Sequence, residues 1–365
     1  MKNGFLKISK YLLIFLIGVV ALVFIGIFVL FFASPGKAEL FINEDNIVEN
    51  SISTIEKIKL GGVEQYLIIR GFDLTKPVLL LLHGGPGTPE LGYVKKYNPK
   101  LEKEFVVIYW EQRAAGKSFN KTISSETMNT EQFVQDTREL SEYLIVRFNK
   151  KKIYLMGHSW GSFLGINTIK KYPNLYHCYF GIGQVANQFR SEKISFDWVK
   201  NYANKIEDKS GINKLNAITL PRKDDNSKNW LEFLRVERGL IDKYGGGLLR
   251  KYKGKHNTFL PILLAKEYTL KDKLNYSKGA FFSIEHLWEE IMASDLFVTI
   301  DSIEVPVYLF HGRHDYQTTH LVAKEFYDHL KAPKKGFYTF ENSAHSPFFD
   351  EPKRFNQILR EIINE

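Results

Sequence analysis

The sequence predicts an α/β fold with a mostly parallel, doubly wound sheet, and three observations carry that reading. Continuous apolar runs, Pro77–Leu82 (PVLLLL) and Phe105–Trp110 (FVVIYW), have the character of strands buried on both faces. Segments with helical spacing alternate with these runs, as crossover connections between parallel strands require. Between residues 152 and 166, a buried run (KIYLM) leads through Gly157-His158-Ser159-Trp160-Gly161 into a helix-like stretch (SFLGI), a strand–turn–helix sequence.

The individual elements follow in order. Thr54–Leu60 and Val63–Arg70 flank Gly61-Gly62 and form a hairpin pattern. Thr130–Phe148 places Phe133, Val134, Leu140, Tyr143, Leu144 and Val146 on an approximate stripe, with Thr130 as N-cap. Cys178–Ile182, Val305–Phe310 and Phe337–Phe340 are further strands, and Glu351–Ile363 is a closing helix. Residues 185–299 break the rhythm: this interval is rich in helix formers, aromatics and lysine, with Gly245-Gly246-Gly247 in its middle. It is expected to be a helical cap over the carboxyl ends of the strands, where ligands bind in open α/β sheets. The core would then comprise residues 51–184 and 300–365.

Ahead of the core, residues 11–33 (YLLIFLIGVVALVFIGIFVLFFA) carry no charge. As a helix this run spans roughly 34 Å, enough for a bilayer core. Residues 1–10 carry Lys2, Lys7 and Lys10, which predicts a cytoplasmic tail, a single membrane anchor at 11–33, a linker at 34–50 and an extracytoplasmic main domain. A cleaved signal peptide fits less well, because the run is long and no A-x-A site follows it.

Gly157-His158-Ser159-Trp160-Gly161 is a G-x-S-x-G pattern. A serine on a sharp strand-to-helix turn is exposed on a strained backbone, and the flanking glycines let strand and helix pass closely. The pattern arises by chance in roughly one chain in ten of this length, so partners are needed. Serine needs a base to take its proton and an acid to orient that base. Asp315 lies five residues past Phe310, and His345 five past Phe340. Both fall at carboxyl ends of strands, on the edge that also carries Ser159, in the chain order Ser, Asp, His. Asp301 precedes its strand and belongs to the wrong edge; His311, His314 and His320 precede the last strand. His311-x-x-His314-Asp315 matches no strong zinc spacing. For the oxyanion, the amide of Trp160 is one donor, and His83-Gly84-Gly85-Pro86-Gly87 supplies the other, Gly85 ahead of Gly84.

With these residues in view, the sequence resembles the α/β-hydrolase superfamily, and within it the prolyl aminopeptidase (proline iminopeptidase) branch. The resemblance covers residues 52–365 and rests on HGGPG at 83–87, EQRAAGKS at 111–118, GHSWGS at 157–162, and the HGRHD and SAHSP loops. It implies an eight-stranded, mostly parallel sheet, a helical cap, a Ser-His-Asp triad and no cofactor. Two departures stand out. The branch usually reads D-Q-R-G-x-G-x-S where this chain has Glu111 and Ala114, and it often reads G-G-S-W-G where this chain has His158. Gln112 and Arg113 are read as anchors of their loop.

An aminopeptidase must also fix a substrate ammonium, for which a cap carboxylate is the natural partner; Glu285 and Glu237 are the candidates. The sequence therefore points to a membrane-anchored serine hydrolase acting on short peptides. A carboxylesterase or amidase on small acyl or lipid-derived substrates is the alternative, and a non-catalytic binding protein on the same scaffold is a third reading. The net charge of +9 comes with no nucleic-acid recognition motif and fits a solvated basic surface. The single cysteine, Cys178, excludes an intrachain disulfide.

Overall fold

The computed structural model describes residues 11–21, 24, 26, 28, 34–251 and 256–365, with side chains from 256 to 258 excepted. Eight strands form one sheet: β1 (Ile52–Leu60), β2 (Val63–Gly71), β3 (Val78–Leu82), β4 (Val106–Glu111), β5 (Ile153–His158), β6 (Tyr176–Ile182), β7 (Val307–Gly312) and β8 (Lys335–Phe340). Their spatial order is β8-β7-β6-β5-β3-β4-β2-β1. Every pairing from β4 to β8 is parallel, while β1–β2 and β2–β4 are antiparallel.

The apolar character of β3 follows from its place between β4 and β5. Leu80 and Leu82 point into the core on one face, Leu79 and Leu81 into the core on the other. A strand covered on both sides can bury every side chain, and each fully buried leucine contributes about 1.5–3 kcal/mol. The first core is closed by α2 (Thr130–Arg147) and α3 (Trp160–Lys171), through Leu140, Leu144, Leu164 and Ile169. The second is closed by α1 (Leu91–Tyr97) and α10 (Pro352–Ile363), through Leu91, Val94, Phe355 and Leu359.

Between β6 and β7 the chain forms α4 (Gln188–Lys205), α5 (Lys209–Asn216), α6 (Ser227–Lys243), α7 (His256–Leu264) and α8 (Leu270–Ala293). The remaining long connection, between β7 and β8, is α9 (His320–His329). The glycine tract of the cap leans on the sheet edge. Gly246 O accepts from Tyr316 N at 2.9 Å, and Gly247 O accepts from His345 N at 3.0 Å.

One expected detail differs. The N-cap of α2 is Asn129, whose side chain accepts from Gln132 N at 2.9 Å, and Thr130 is the first helical residue. Asn and Thr are both good caps; the extended backbone of Asn129 places its side chain over the open amides. Of the expected anchor at 11–33, residues 11–21 are helical and exposed, and much of the rest lies outside the described residues. Among the described residues, no helix is long and apolar enough to cross a membrane.

Arg113 is wholly buried and grips Asp136 through Nε and Nη2, each at 3.0 Å, while Nη2 also reaches the Gly61 carbonyl. This pair ties the loop after β4 to α2 and to the β1–β2 turn. Arg113→Ala leaves a buried carboxylate unpaired and is expected to cost about 3–5 kcal/mol in urea unfolding. Arg138→Ala, which removes the exposed Glu142 pair, is expected to cost less than about 1 kcal/mol. Equal losses would contradict this assignment of Arg113.

Candidate active site

Ser159 sits between β5 and α3 with φ 55° and ψ −119°, a conformation L residues avoid. The reason lies in the neighbouring glycines. A Cβ on Gly161 would stand 1.9 Å from the Leu82 carbonyl oxygen, and one on Gly157 would stand 2.2 Å from that of Gly161. Only glycine lets α3 start this close to β3. The backbone N–H of Ser159 donates to Ile182 O at 2.9 Å, fixing the turn to β6. The serine is partly exposed on the wall of a cavity of about 790 Å³.

Asp315 and His345 meet in the loops after β7 and β8. Nδ1 of His345 lies 2.9 Å from Asp315 Oδ2. Asp315 is further held by the amides of Gln317 and Thr318, by the Thr318 hydroxyl at 2.9 Å, and by His311 Nε2 at 3.1 Å. The two loops are joined by Arg313 N to Phe340 O and His314 N to Ser343 O. Burial opposes ionisation of Asp315, but the attraction of His345 and the hydrogen bonds from His311 and His345 outweigh it, so its carboxyl stays well below the usual range. Burial also dominates at His345: it disfavours the imidazolium more than Asp315 favours it, and its pKa falls below 6.5. His345 packs against the elbow, its ring centroid 4.7 Å from that of His158. A Cβ on Gly183, the residue after the carbonyl that binds Ser159 N–H, would stand 2.8 Å from His345 Cε1.

Gly85 and Trp160 line the same cavity as Ser159. Gly85 has φ 111°. The amide of Gly84 is already spent, donating to Glu90 Oε1 at 3.2 Å. The Trp160 indole donates to Gln112 Oε1 at 2.9 Å, and Gln112 Nε2 donates to the His83 carbonyl, so Gln112 joins the elbow to the glycine turn.

A sequence profile described as the alpha/beta hydrolase fold matches residues 77–218. A probable aminopeptidase of Bacillus subtilis, YbaC, is 32% identical over 313 residues, covering 85% of this chain and 96% of its own length. The chain belongs to the α/β-hydrolase superfamily. Its place is in the proline-iminopeptidase-like branch: a proline iminopeptidase of Heyndrickxia coagulans is 25% identical over 78% of this chain and 90% of its own. The crystal structure of a Mycobacterium smegmatis proline iminopeptidase shares the fold, with a TM-score of 0.63 at 14% identity over 85% of this chain and 98% of that one.

The two cap carboxylates of this hydrolase fall in different surroundings. Glu285 is exposed on α8 and is not among the residues lining the serine cavity. Glu237 is fully buried on α6 and bonds Arg238 at 2.5 Å; Arg238 also holds the buried Glu192. Burial, reinforced by Glu192 and opposed by Arg238, pushes Glu237 up to about 8. The carboxylate on the cavity wall is Glu232, with Arg235 and Arg238 beside it. Sequence reasoning passed over Glu232 because which face of α6 meets the serine depends on how the cap docks. It also passed over His311 and Thr318 as partners of Asp315. The signal for His311 was present, near the end of β7 and four residues before Asp315. Among the described residues no cluster could hold a metal ion; His320 bonds Thr339, and Asp301 is exposed ahead of β7.

Because burial holds the His345 pKa down, its neutral form persists into mild acid. Phosphonylation of Ser159 by a fluorophosphonate is expected to rise with pH along a limb centred below 6.5. A midpoint at or above 6.5 would count against His345 as the base.

Proposed function

We propose that the chain is a membrane-anchored serine hydrolase of the prolyl aminopeptidase type, acting on short peptides through an acyl-enzyme. The observation that carries this reading is the strained Ser159 turn in one cavity with Gly85 and Trp160, against a His345 bonded to Asp315. Ser159 Oγ attacks the carbonyl carbon as His345 Nε2 takes its proton. Asp315 holds Nδ1–H and stabilises the imidazolium. The amides of Gly85 and Trp160 receive the oxyanion. His345 then protonates the leaving amine, and water, deprotonated by the same imidazole, releases the acyl group.

The peptide preference is supported by the names borne by the relatives and by Glu232 on the cavity wall, which can meet a substrate ammonium. The ester reading draws on a different observation: Val185, Leu231, Leu234, Ile284, Trp288 and Ile291 make most of the wall apolar.

A panel of aminoacyl arylamides, prolyl included, against short-chain aryl esters separates the two. Turnover of the arylamides is expected, abolished in Ser159→Ala and lowered about tenfold or more in Glu232→Gln, while esters are little affected by the latter. Esters turned over alone would reject the aminopeptidase; activity persisting in Ser159→Ala would reject the mechanism.

The uncharged run at 11–33 behind a lysine-bearing tail supports anchoring with the catalytic domain outside the cytoplasm. Protease added to intact cells is expected to remove the large domain. Its full protection would overturn that orientation.

A further inference from the structure

His158 precedes the serine and is buried, as is Glu90 in the turn after β3. His158 Nδ1 lies 2.5 Å from Glu90 Oε1, and His158 Nε2 lies 3.2 Å from the backbone carbonyl of His345 and 3.3 Å from Ser346 Oγ. A carbonyl oxygen only accepts, so the 3.2 Å contact is a hydrogen bond when Nε2 carries a proton, and the Ser346 hydroxyl then accepts from it as well. A carboxylate also accepts, so Nδ1 donates as well. Two donating nitrogens are the pattern of an imidazolium. His83, one turn away, shows the opposite pattern: its Nδ1 faces the Gly84 carbonyl, its Nε2 accepts from Gln112 N–H, and it is neutral.

The pair therefore joins three loops. Glu90 Oε1 accepts from Gly84 N–H in the glycine turn, His158 adjoins Ser159 in the elbow, and its Nε2 holds the main chain of His345. A Cβ on Gly84 would stand 3.2 Å from Ser159 Cβ and 3.3 Å from Glu90 Oε1, so the serine and the carboxylate both pack on Gly84. Phe348 and Phe349 pack edge-on against His158 and shield it.

We propose that Glu90 and His158 are a charged pair of positioning residues that holds the His345 loop, the Ser159 elbow and the Gly84-Gly85 turn in register for acyl transfer. The proposal rests on the serine-hydrolase reading above. Burial alone would lower the His158 pKa, but Glu90 outweighs it and the net shift is upward. The other titratable groups around the pair are His345 and Asp315 on the loop side, Tyr93 and Tyr276 toward the cap, and His83, Tyr109, Glu111 and Tyr268 beneath. Of these, Glu111 lines with Glu90 a void of about 10 Å³; the Tyr268 hydroxyl on its wall interacts with Glu111, and Glu90 Oε2 has no hydrogen-bond partner among the described residues. Burial pushes Glu111 up to about 7, and the second carboxylate that favours the charge on His158 is Asp315. The pair itself carries no step of the reaction; its work is to hold the main chain of His345 against the elbow that carries the serine, because a displacement near 1 Å of a reacting group can cost roughly 100-fold.

The test is ¹⁵N-imidazole NMR of the full chain at pH 7.5, with the His158 signals assigned by their loss in His158→Gln. The expected result is that both His158 nitrogens carry protons while His345 is neutral. Glu90→Gln preserves shape and the Gly84 bond but removes the charge; it is expected to convert His158 to the neutral form and to lower kcat between about 10- and 100-fold with KM within twofold. A neutral His158 in the wild type would overturn the proposal, as would Glu90→Gln with kcat within twofold of wild type. If Glu90→Gln does not fold, the wild-type spectrum decides alone. Activity surviving in Ser159→Ala would sink the serine reading separately, because the His158 signals do not depend on turnover.

Discussion

The backbone of Ser159 is the constraint around which the rest is arranged. A left-handed non-glycine residue costs on the order of 1–3 kcal/mol and persists only where its surroundings over-determine it. Here the surroundings are the Ile182 carbonyl, which takes the Ser159 amide, and the passage of Gly157 and Gly161 against β3 and α3. Relaxing the turn would break the hydrogen bond to β6, and a side chain at Gly161 would run into the Leu82 carbonyl. The strain is thus maintained by the parallel sheet itself, and it lifts the hydroxyl out of the buried core onto the cavity wall.

Three buried histidines around this turn show how neighbours set protonation. His83 has only a weak carboxylate influence against full burial, and its pKa drops to about 4. His345 faces Asp315, yet burial still prevails and the balance tips toward the neutral imidazole. His158 faces Glu90 at shorter range, and the balance reverses. Burial is nearly the same for all three; the partner and its distance decide.

The segment that follows the apolar run is bound to both halves of the molecule. Ser34 Oγ meets Lys273 Nζ at 2.8 Å, and Pro35 bridges to Thr269 in the cap. Glu39 pairs with Lys95 beside the core and Lys266 in the cap, while its carbonyl accepts from Arg70 of β2 at 2.6 Å. Burial opposes ionisation of Glu39, but hydrogen bonds from Lys266 and Lys95 hold its pKa near 2. Residues 34–39 therefore do more than link: they bear on the same cap that roofs the serine cavity.

The sequence by itself determined the elements and the edge. Runs such as Pro77–Leu82 are apolar on every side because both faces of a central parallel strand are covered, and that pattern is visible in one dimension. The loops carrying Gly85, Ser159, Asp315 and His345 were also legible, since each follows a recognisable strand and parallel strands share a carboxyl edge. What only the tertiary structure decided is which side chains on those loops and on the cap face one another. Glu232 turned to the cavity, Glu237 to Arg238 and Glu285 to solvent according to how α6 and α8 dock. Glu90 reached His158 across 68 residues of chain. Helical phase and long-range pairing arise from packing, and a linear pattern carries no record of it.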